Sequence, residues 1–562
     1  MEYVRWCRDH PEYKPELVAQ VIRRGDRLLE LTGSVGEAAR LLRDAREAVH
    51  GNPLAGAASA AVQESLAPEH AAYLRAMVEH GVPARRETPR VRERSKSHAS
   101  AIDHADEMFK AAWKDSKHGA VLWASEASEP VLAASAVVES PSGRVAKMLP
   151  DRTIAAEGRP IHDMRGANRD SPKELHPPAK QPLHRGLARL SLWWEARHPG
   201  VPQRVAKRDV ARAFKWHSVA PEDVPEFGTT LPGEAVGVKG RVVLIHAVLV
   251  FGWSGSPGEY MAFAWAAKHQ HELRRPAEPR TNDTVRYSSK WLMDDGVIVE
   301  PLVGVRPWAS GDELDRSMTK IWGKDAVNQE KLAEEGGFEE EQIIWGLHMH
   351  FGRKEVRLPD PKCTKAQCLL ALPELQAGSR RVPLKLAQEL RGCAQFWSTA
   401  QPALRPELPA LDRLLGAGQG GWAAPRGNPA QVAAAWEEWD STLELFRVLF
   451  DAPESWTSTF AASFAEALSI RERLALPGVS QRTRWTGGDA TEESIGAIDW
   501  GKAGADFGKT LPVYLATDAR PLLGYLNDVV EGVGSEEGWI IAVVELLAVV
   551  ALATSRAEKW GG

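Results

Sequence analysis

The sequence predicts an α+β fold, on three observations. Apolar residues recur at helical spacing through the first 80 residues, as in Leu17, Val21, Leu28, Leu29 and Leu31, then Ala38, Leu41 and Leu42. The middle of the chain instead carries short runs rich in apolar and β-branched residues, bounded by Gly, Pro, Asp and Ser, the pattern of strands joined by tight turns. Two of those runs, Arg286–Met293 and Val297–Val303, flank Asp294-Asp295-Gly296, which is hairpin turn chemistry. Antiparallel strands in one stretch, with helices before and after, define the class.

The elements follow in order. Residues 1–100 are expected to be a helical region ending in a basic linker. In that linker Arg85–Lys96 holds six basic and two acidic residues; a flexible solvated segment is expected, with a nucleic-acid-binding arm as the alternative. Residues 101–130 read as helical, with Phe109 and Trp113 on one face. Val131–Val138 and Arg144–Leu149 read as a hairpin around Glu-Ser-Pro-Ser-Gly. Val205–Val210 reads as a strand that delivers Asp209 near its end, with Phe214 shortly after. Val248–Phe251 reads as a strand, followed by a Gly/Ser turn and a helix opening at Pro257, since proline fits the first helical turn. Gln342–His350 and Glu355–Leu358 read as a further hairpin around Phe-Gly-Arg-Lys, with His348 and His350 on one partly exposed face. Residues 364–416 and 430–475 read as helical, the latter with Trp436, Trp439, Leu443 and Phe446 as a core stripe. Between them Gly416–Pro429 is a glycine-rich linker; no strand precedes it, which removes a dinucleotide-loop reading.

Composition bounds the function. The 562 residues allow several domains, and 43% hydrophobic content supports packed cores. No apolar run reaches the ~18 residues of a membrane span; Trp539–Leu552 is too short and carries Glu545. The first residues show no signal-peptide profile. Cys7, Cys363, Cys368 and Cys393 are scattered, and Cys363-x4-Cys368 lacks a second ligand pair for zinc. The expectation is an intracellular protein, cytoplasmic or nuclear, with no membrane partner. The net charge of −5 hides local basic segments, among them Arg204–Arg212 with four basic residues beside Asp209, offset by the acidic stretch 330–341.

Two adjacent carboxylates at one turn repel each other and gain nothing from burial, a conflict that a divalent cation removes. Taken alone, Asp-Gly is also simply good turn chemistry. The order of other blocks bears on the choice. Arg159-Pro-Ile-His-Asp-Met-Arg-Gly-Ala-Asn168 comes first, then Arg204–Phe214, then Phe251-Gly-Trp-Ser-Gly-Ser-Pro257, then Leu292-Met-Asp-Asp295. In this order they resemble the reverse transcriptases of long-terminal-repeat and DIRS-like retroelements, over residues 130–416 and more weakly 482–556.

The resemblance implies a right-hand polymerase of fingers, palm and thumb with an antiparallel palm sheet. Fingers and palm would occupy 101–360, thumb-like helices 361–416, a linker and connection-like helices 417–480, and a partial ribonuclease H-like α/β region 481–562. It implies that Asp209, Asp294 and Asp295 are catalytic and hold two Mg²⁺ or Mn²⁺ ions. Arg159 and Arg165 fall in the fingers pattern, where Arg159 would hold the triphosphate. Phe214 would be the bulky gate beside the incoming sugar, and Phe251 and Gly252 would contact template and nucleotide. Lys331, in Asn328-Gln-Glu-Lys331, resembles the lysine before the primer-grip hairpin, and Ile344-Trp-Gly-Leu347 the primer grip itself. Leu292 departs from the family, which usually has tyrosine there. Asp489 and Glu545 would be the first carboxylates of a ribonuclease H-like site that the sequence ends before completing.

The chemistry suits these residue types. In-line displacement at phosphorus uses two ions ~3.5–4 Å apart to stabilise attacking and leaving oxygens. An arginine offsets the charge growing on pyrophosphate, and a bulky ring excludes the 2′-hydroxyl that distinguishes ribonucleotides. The expected function is RNA-directed DNA polymerisation on a primed RNA or DNA template from deoxynucleoside triphosphates. Residue by residue, core packing for Phe214, a solvated arginine for Arg159 and a polar residue on a buried helix for Glu545 stand as alternatives. At the level of function, a catalytically inactive polymerase-fold scaffold that binds nucleic acid, or a metal-dependent nuclease, are the rivals. Oligomeric state is not legible.

Overall fold

The computed structural model describes residues 2–276, 283–415 and 421–468, together with the backbone of three strands beyond them. The chain forms two compact units. One holds Met1–Leu187 and Val201–Ser463, the other Ala188–Gly200 and Phe464–Gly562.

The first unit mixes helices with three sheets. A five-stranded sheet contains β1 (Val121–Ser125), β2 (Glu139–Met148), β3 (Ile154–His162), β5 (Gly228–Pro232) and β6 (Arg241–His246), in the order β1-β6-β5-β2-β3. Its β2–β5 pair is parallel and the others antiparallel. A three-stranded antiparallel sheet has β4 (Gln203–Asp209) on one side of β8 (Asp295–Pro301) and β7 (Ser289–Leu292) on the other. A third sheet runs β12 (Ala461–Ser463), β11 (Glu355–Arg357), β10 (Leu347–His350), β9 (Glu341–Ile344). The described strands of the second unit, β13 (Arg484–Ala490), β14 (Ser494–Lys502) and β15 (Val513–Asp518), form an antiparallel meander. Glu545, and the side chain of Asp489, lie outside the described residues.

The N-terminal helices, chiefly Pro15–Thr32, Val35–His50 and Pro68–His80, bury Val21, Leu29, Ala38 and Leu42 as their periodicity predicts. Leu31 and Leu41 are exposed instead, because each falls outside the buried arc of its helix. These helices share one core with the five-stranded sheet and with Phe214, Tyr260 and Ile298. Gly25 makes the approach possible: a Cβ there would lie 1.8 Å from the Trp123 carbonyl oxygen on β1.

The basic segment after them is not a solvated linker. Arg86 pairs with Glu226 and Asp170, Arg90 with Asp223 and Glu226, and Arg92 with Glu129 and Glu139. The side chains of Glu226 and Glu139 are fully buried, so the segment is a strap whose arginines neutralise carboxylates inside the fold. Composition alone could not show this, since solvated and paired arginines read alike.

Three strand expectations also change. Val131–Val138 begins as the end of a short helix, Glu129–Ala134, opened by Pro130 in its first turn; the hairpin is β2–β3 instead. The strand before the Gly/Ser turn ends at His246, and beyond it Val248 makes only an isolated bridge to Ser218. Gln342–His350 is not one strand but folds back at Trp345-Gly346, both at positive φ (47° and 86°). His348 and His350 do share a face, each near Glu341. The helices Asp360–Leu370, Leu384–Ala400, Leu408–Leu415 and Pro429–Asp451 follow, the last burying Trp436, Trp439, Leu443 and Phe446. No helix among the described residues is long and apolar enough to cross a membrane.

Candidate functional site

Two strands bring three carboxylates together. Asp209 ends β4 and stands opposite Asp295, which opens β8. Opposed Cα atoms in an antiparallel pair lie ~4.5–5.5 Å apart with side chains on one face. Asp294 occupies the turn before β8, and its carbonyl accepts the Val210 N–H at 3.0 Å. The hairpin differs from the Asp-Asp-Gly turn expected. Its two loop residues are Met293 and Asp294, because Leu292 already pairs with Asp295. Met293 takes φ 55°, a left-handed conformation costly for a non-glycine residue. Gly296 is spent inside the strand, where a Cβ would sit 3.2 Å from the buried Trp291 ring.

The electrostatics follow from this crowding. Burial, then repulsion by Asp294, pushes the Asp295 carboxyl up to about 6. Burial and the Asp209 charge also raise Asp294. Tyr260, buried beneath the site, has its hydroxyl raised by burial and then by Asp294, Asp209 and Asp295. Asp209 is compensated: it accepts Asn328 Nδ2 at 2.8 Å and the Lys331 ammonium at 2.5 Å. Burial alone would lower Lys331; the bond to Asp209 and the two further carboxylates hold it above its ordinary value. Asn328 acts twice, since its Oδ1 also caps the helix Gln329–Glu335 by accepting the Lys331 N–H at 3.3 Å.

The donor set is all oxygen and anionic, which fits a hard divalent cation. As placed, with Lys331 on Asp209, no three His, Cys, Asp or Glu side chains among the described residues stand as a metal-holding group. An ion shared by the three aspartates would share Asp209 with that ammonium and with Asn328.

Phe214 lies in a 3₁₀ turn after β4, buried, its ring 4.8 Å from Phe251 and 5.5 Å from Tyr260. Phe251 is exposed. The next residue, Gly252, has φ 99°, and a Cβ there would lie 2.4 Å from the His162 carbonyl oxygen, so only glycine fits. Asn168 clamps this loop: its Nδ2 donates to the Gly252 carbonyl at 2.9 Å and its Oδ1 accepts the Ser254 N–H at 2.7 Å. Arg165 is exposed and bidentate to Asp163 at 2.6 and 2.7 Å, which holds the Asp163 carboxyl down at about 2. Arg159 is exposed on β3; no contact joins it to the aspartates.

The structure therefore gathers Asp209, Asp294, Asp295 and Lys331 in one place and Phe214, Phe251 and Gly252 in another, with Tyr260 between them. Tyr260 was invisible in the sequence, one aromatic in an apolar helix. The partnership of Asn328 with Asp209 was equally hidden, for only folding brings them together.

A second constellation has the atom order of a hydrolase triad. Ser171 Oγ lies 3.0 Å from His176 Nε2, and His176 Nδ1 lies 2.8 Å from Glu259 Oε1. Ser171 is fully buried and its hydroxyl donates to the Ala84 carbonyl. Glu259 also takes bonds from Tyr73 and Arg85. The network is a buried polar staple between the strap and the helix Ser256–Glu272.

Two foamy viral structures are among the solved structures similar to this chain. A foamy viral protease-reverse transcriptase dRH in complex with double-stranded DNA matches at TM-score 0.40 and 13% identity, over 81% of this chain and 65% of that one. The foamy viral protease-reverse transcriptase in complex with double-stranded DNA matches at TM-score 0.42 and 13% identity, over 83% of this chain and 82% of that one. The chain thus spans just under two thirds of the first structure's length. Neither likeness assigns a role to any residue here. No family model matches the chain, and no curated protein matches it.

Proposed function

We propose that this chain is a template-directed nucleic-acid polymerase, and specifically an RNA-directed DNA polymerase of the retroelement type. The observation that carries the reading is the register of β4 on β8, which sets Asp209 against Asp295 beside Asp294. Three carboxylates crowded at one hairpin are costly unless they serve a cation, and the same residues are those the sequence motifs single out. Magnesium or manganese bound there would supply charge stabilisation for attacking and leaving oxygens. The chain's own part would be to hold the carboxylates, through the hairpin, and to balance them with Lys331 when no cation is present. Phe214 and Phe251 would line the place of the incoming nucleotide, and the Asn168 clamp would fix Phe251. The partners under this reading are a primed template and deoxynucleoside triphosphates. The carboxylates of a ribonuclease H-like region in 481–562 would add a separate activity only if its set were completed.

The test is primer extension on poly(rA)/oligo(dT) with Mg²⁺, then Mn²⁺, for the full chain and Asp294→Asn. Extension by the parent that the substitution abolishes supports the reading; unchanged extension by the variant sinks the metal assignment. The Lys331–Asp209 bond and the Leu292 departure favour a second reading, a scaffold of the same fold that binds nucleic acid without catalysis. Retention of primer–template on a filter without any extension would select it.

A further inference from the structure

The helices Glu2–Asp9, Pro15–Thr32 and Val35–His50 enclose a cleft of about 650 Å³ in which the candidate site has no part. Its floor is apolar, formed by Val4, Leu28 and Leu42. Two leucines line it from the solvent side, Leu31 at 68% exposure and Leu41 at 42%. One exposed leucine on a surface means little. Two of them on facing helices, above an apolar floor, make a patch of the kind that marks an interaction surface.

The charges of the cleft are sorted by wall. The lining residues of Pro15–Thr32 include Arg23, Arg24 and Arg27 and no acid, whereas those of the other two helices include Glu2 and Asp44 and no cation. Among the described residues no ion pair crosses the cleft; the pairs near it stay within one helix. Arg27 holds Glu30 at 2.8 Å, Arg43 holds Glu47 at 3.0 Å, and Arg40 holds Glu37. Arg24 donates to the Gln20 carbonyl at 3.2 Å and lies 4.5 Å from the Trp6 ring centroid. Arg23 donates only to the Ala19 carbonyl of its own helix, at 3.2 Å. Asp44 has no ion-pair partner among the described residues. Arg23 and Asp44, both exposed, thus stand on opposite walls with their charges uncompensated.

Such a surface is complementary to itself. A two-fold axis lying along the cleft, in the plane of contact, sets the basic wall of one copy on the acidic wall of the other, and every contact then occurs twice. Walls of one sign would repel their own copy, and opposite walls attract it. Leu31 and Leu41 of both copies leave water in the same step. We propose that this cleft is a self-association surface whose occupant is the same cleft of a second copy of the chain, with Arg23 of each copy set against Asp44 of the other. The patch is small and its charges are exposed, so the association is weak and is screened by salt. It needs nothing from the polymerase reading, because it is argued from its own residues.

The experiment is sedimentation equilibrium of the full chain without nucleic acid, at low salt and over a hundredfold range of concentration. The parent is expected to pass from one copy to two as concentration rises, and added salt should reverse this. Arg23→Glu, Asp44→Lys and Leu31→Asp should each weaken the association at least tenfold. Their unfolding midpoints should stay close to the parent's, since all three side chains are exposed. The deciding sample is an equimolar mixture of Arg23→Glu with Asp44→Lys. In a mixed pair one charge contact is the parent's and the other is its reverse, so the mixture should associate as the parent does while each variant alone does not. The chain carrying both substitutions should recover as well. A variant that merely misfolds would not be rescued by mixing. A parent that remains a single copy throughout overturns the proposal and leaves the cleft to another occupant. Association that survives all three substitutions, or a mixture no tighter than its separate components, overturns it too.

Discussion

Asp295→Asn should stabilise the protein and, on the polymerase reading, abolish primer extension. The carboxyl of Asp295 stands at about 6 in the folded chain against an ordinary value of 3.8, from burial and then Asp294. Below 3.8 it is protonated in both folded and unfolded states and costs nothing. Between 3.8 and about 6 the unfolded chain has released the proton that the folded chain still binds, so stability falls as pH rises. Above that window both states are ionised and the full penalty is present. A shift of this size corresponds to about 3 kcal/mol, and solvent screening at a half-buried hairpin reduces it to about 1–2 kcal/mol. Asparagine carries no charge and keeps the shape. The assay is urea unfolding of parent and variant in EDTA, from pH 4 to pH 8, followed by a signal from the first unit. The variant's midpoint should match the parent's near pH 4 and exceed it increasingly up to pH 7. Added Mg²⁺ should raise the parent's midpoint and not the variant's. A variant that unfolds at the same or lower urea concentration at pH 8 would refute the crowding argument.

Three further outcomes are expected. Gly252→Ala should cost at least ~2 kcal/mol and loosen Phe251, because its φ of 99° and the His162 carbonyl exclude a Cβ; an unchanged unfolding midpoint would contradict the geometry. Arg86→Met should cost about 1–3 kcal/mol by leaving the buried Glu226 with Arg90 as its one remaining arginine, most of it recovered when Glu226→Gln is added; a solvated linker would show neither effect. Phe214→Ala should lose up to ~3 kcal/mol of packing against Phe251 and Tyr260. If Phe214 is also the sugar gate, the ratio of ribo- to deoxynucleotide incorporation must rise in the same variant, and an unchanged ratio leaves it a core residue alone.

The sequence by itself determined the class of the fold and the identity of the carboxylates. Period-3.6 stripes specified the N-terminal helices and the helix bearing Trp436 and Trp439, because a helix that buries one face must write that period into its residues. Alternating and β-branched runs specified β4 and β8, and Asp209, Asp294 and Asp295 stood out as acids at strand ends. Local pattern carries no information about which distant group will neutralise a charge. The strap arginines therefore read as solvent-facing, although Glu139 and Glu226 wait for them inside the fold. Lys331 and Asn328 were part of a motif, and only the folded chain set them on Asp209. Turn position was equally beyond local reading: Asp-Gly favoured a turn two residues later, but Gly296 was needed under Trp291, and the packing of that ring moved the turn onto Met293-Asp294. Pattern reports what each residue prefers, and the charge balance of a buried site belongs to neighbours that only the folded chain brings within reach.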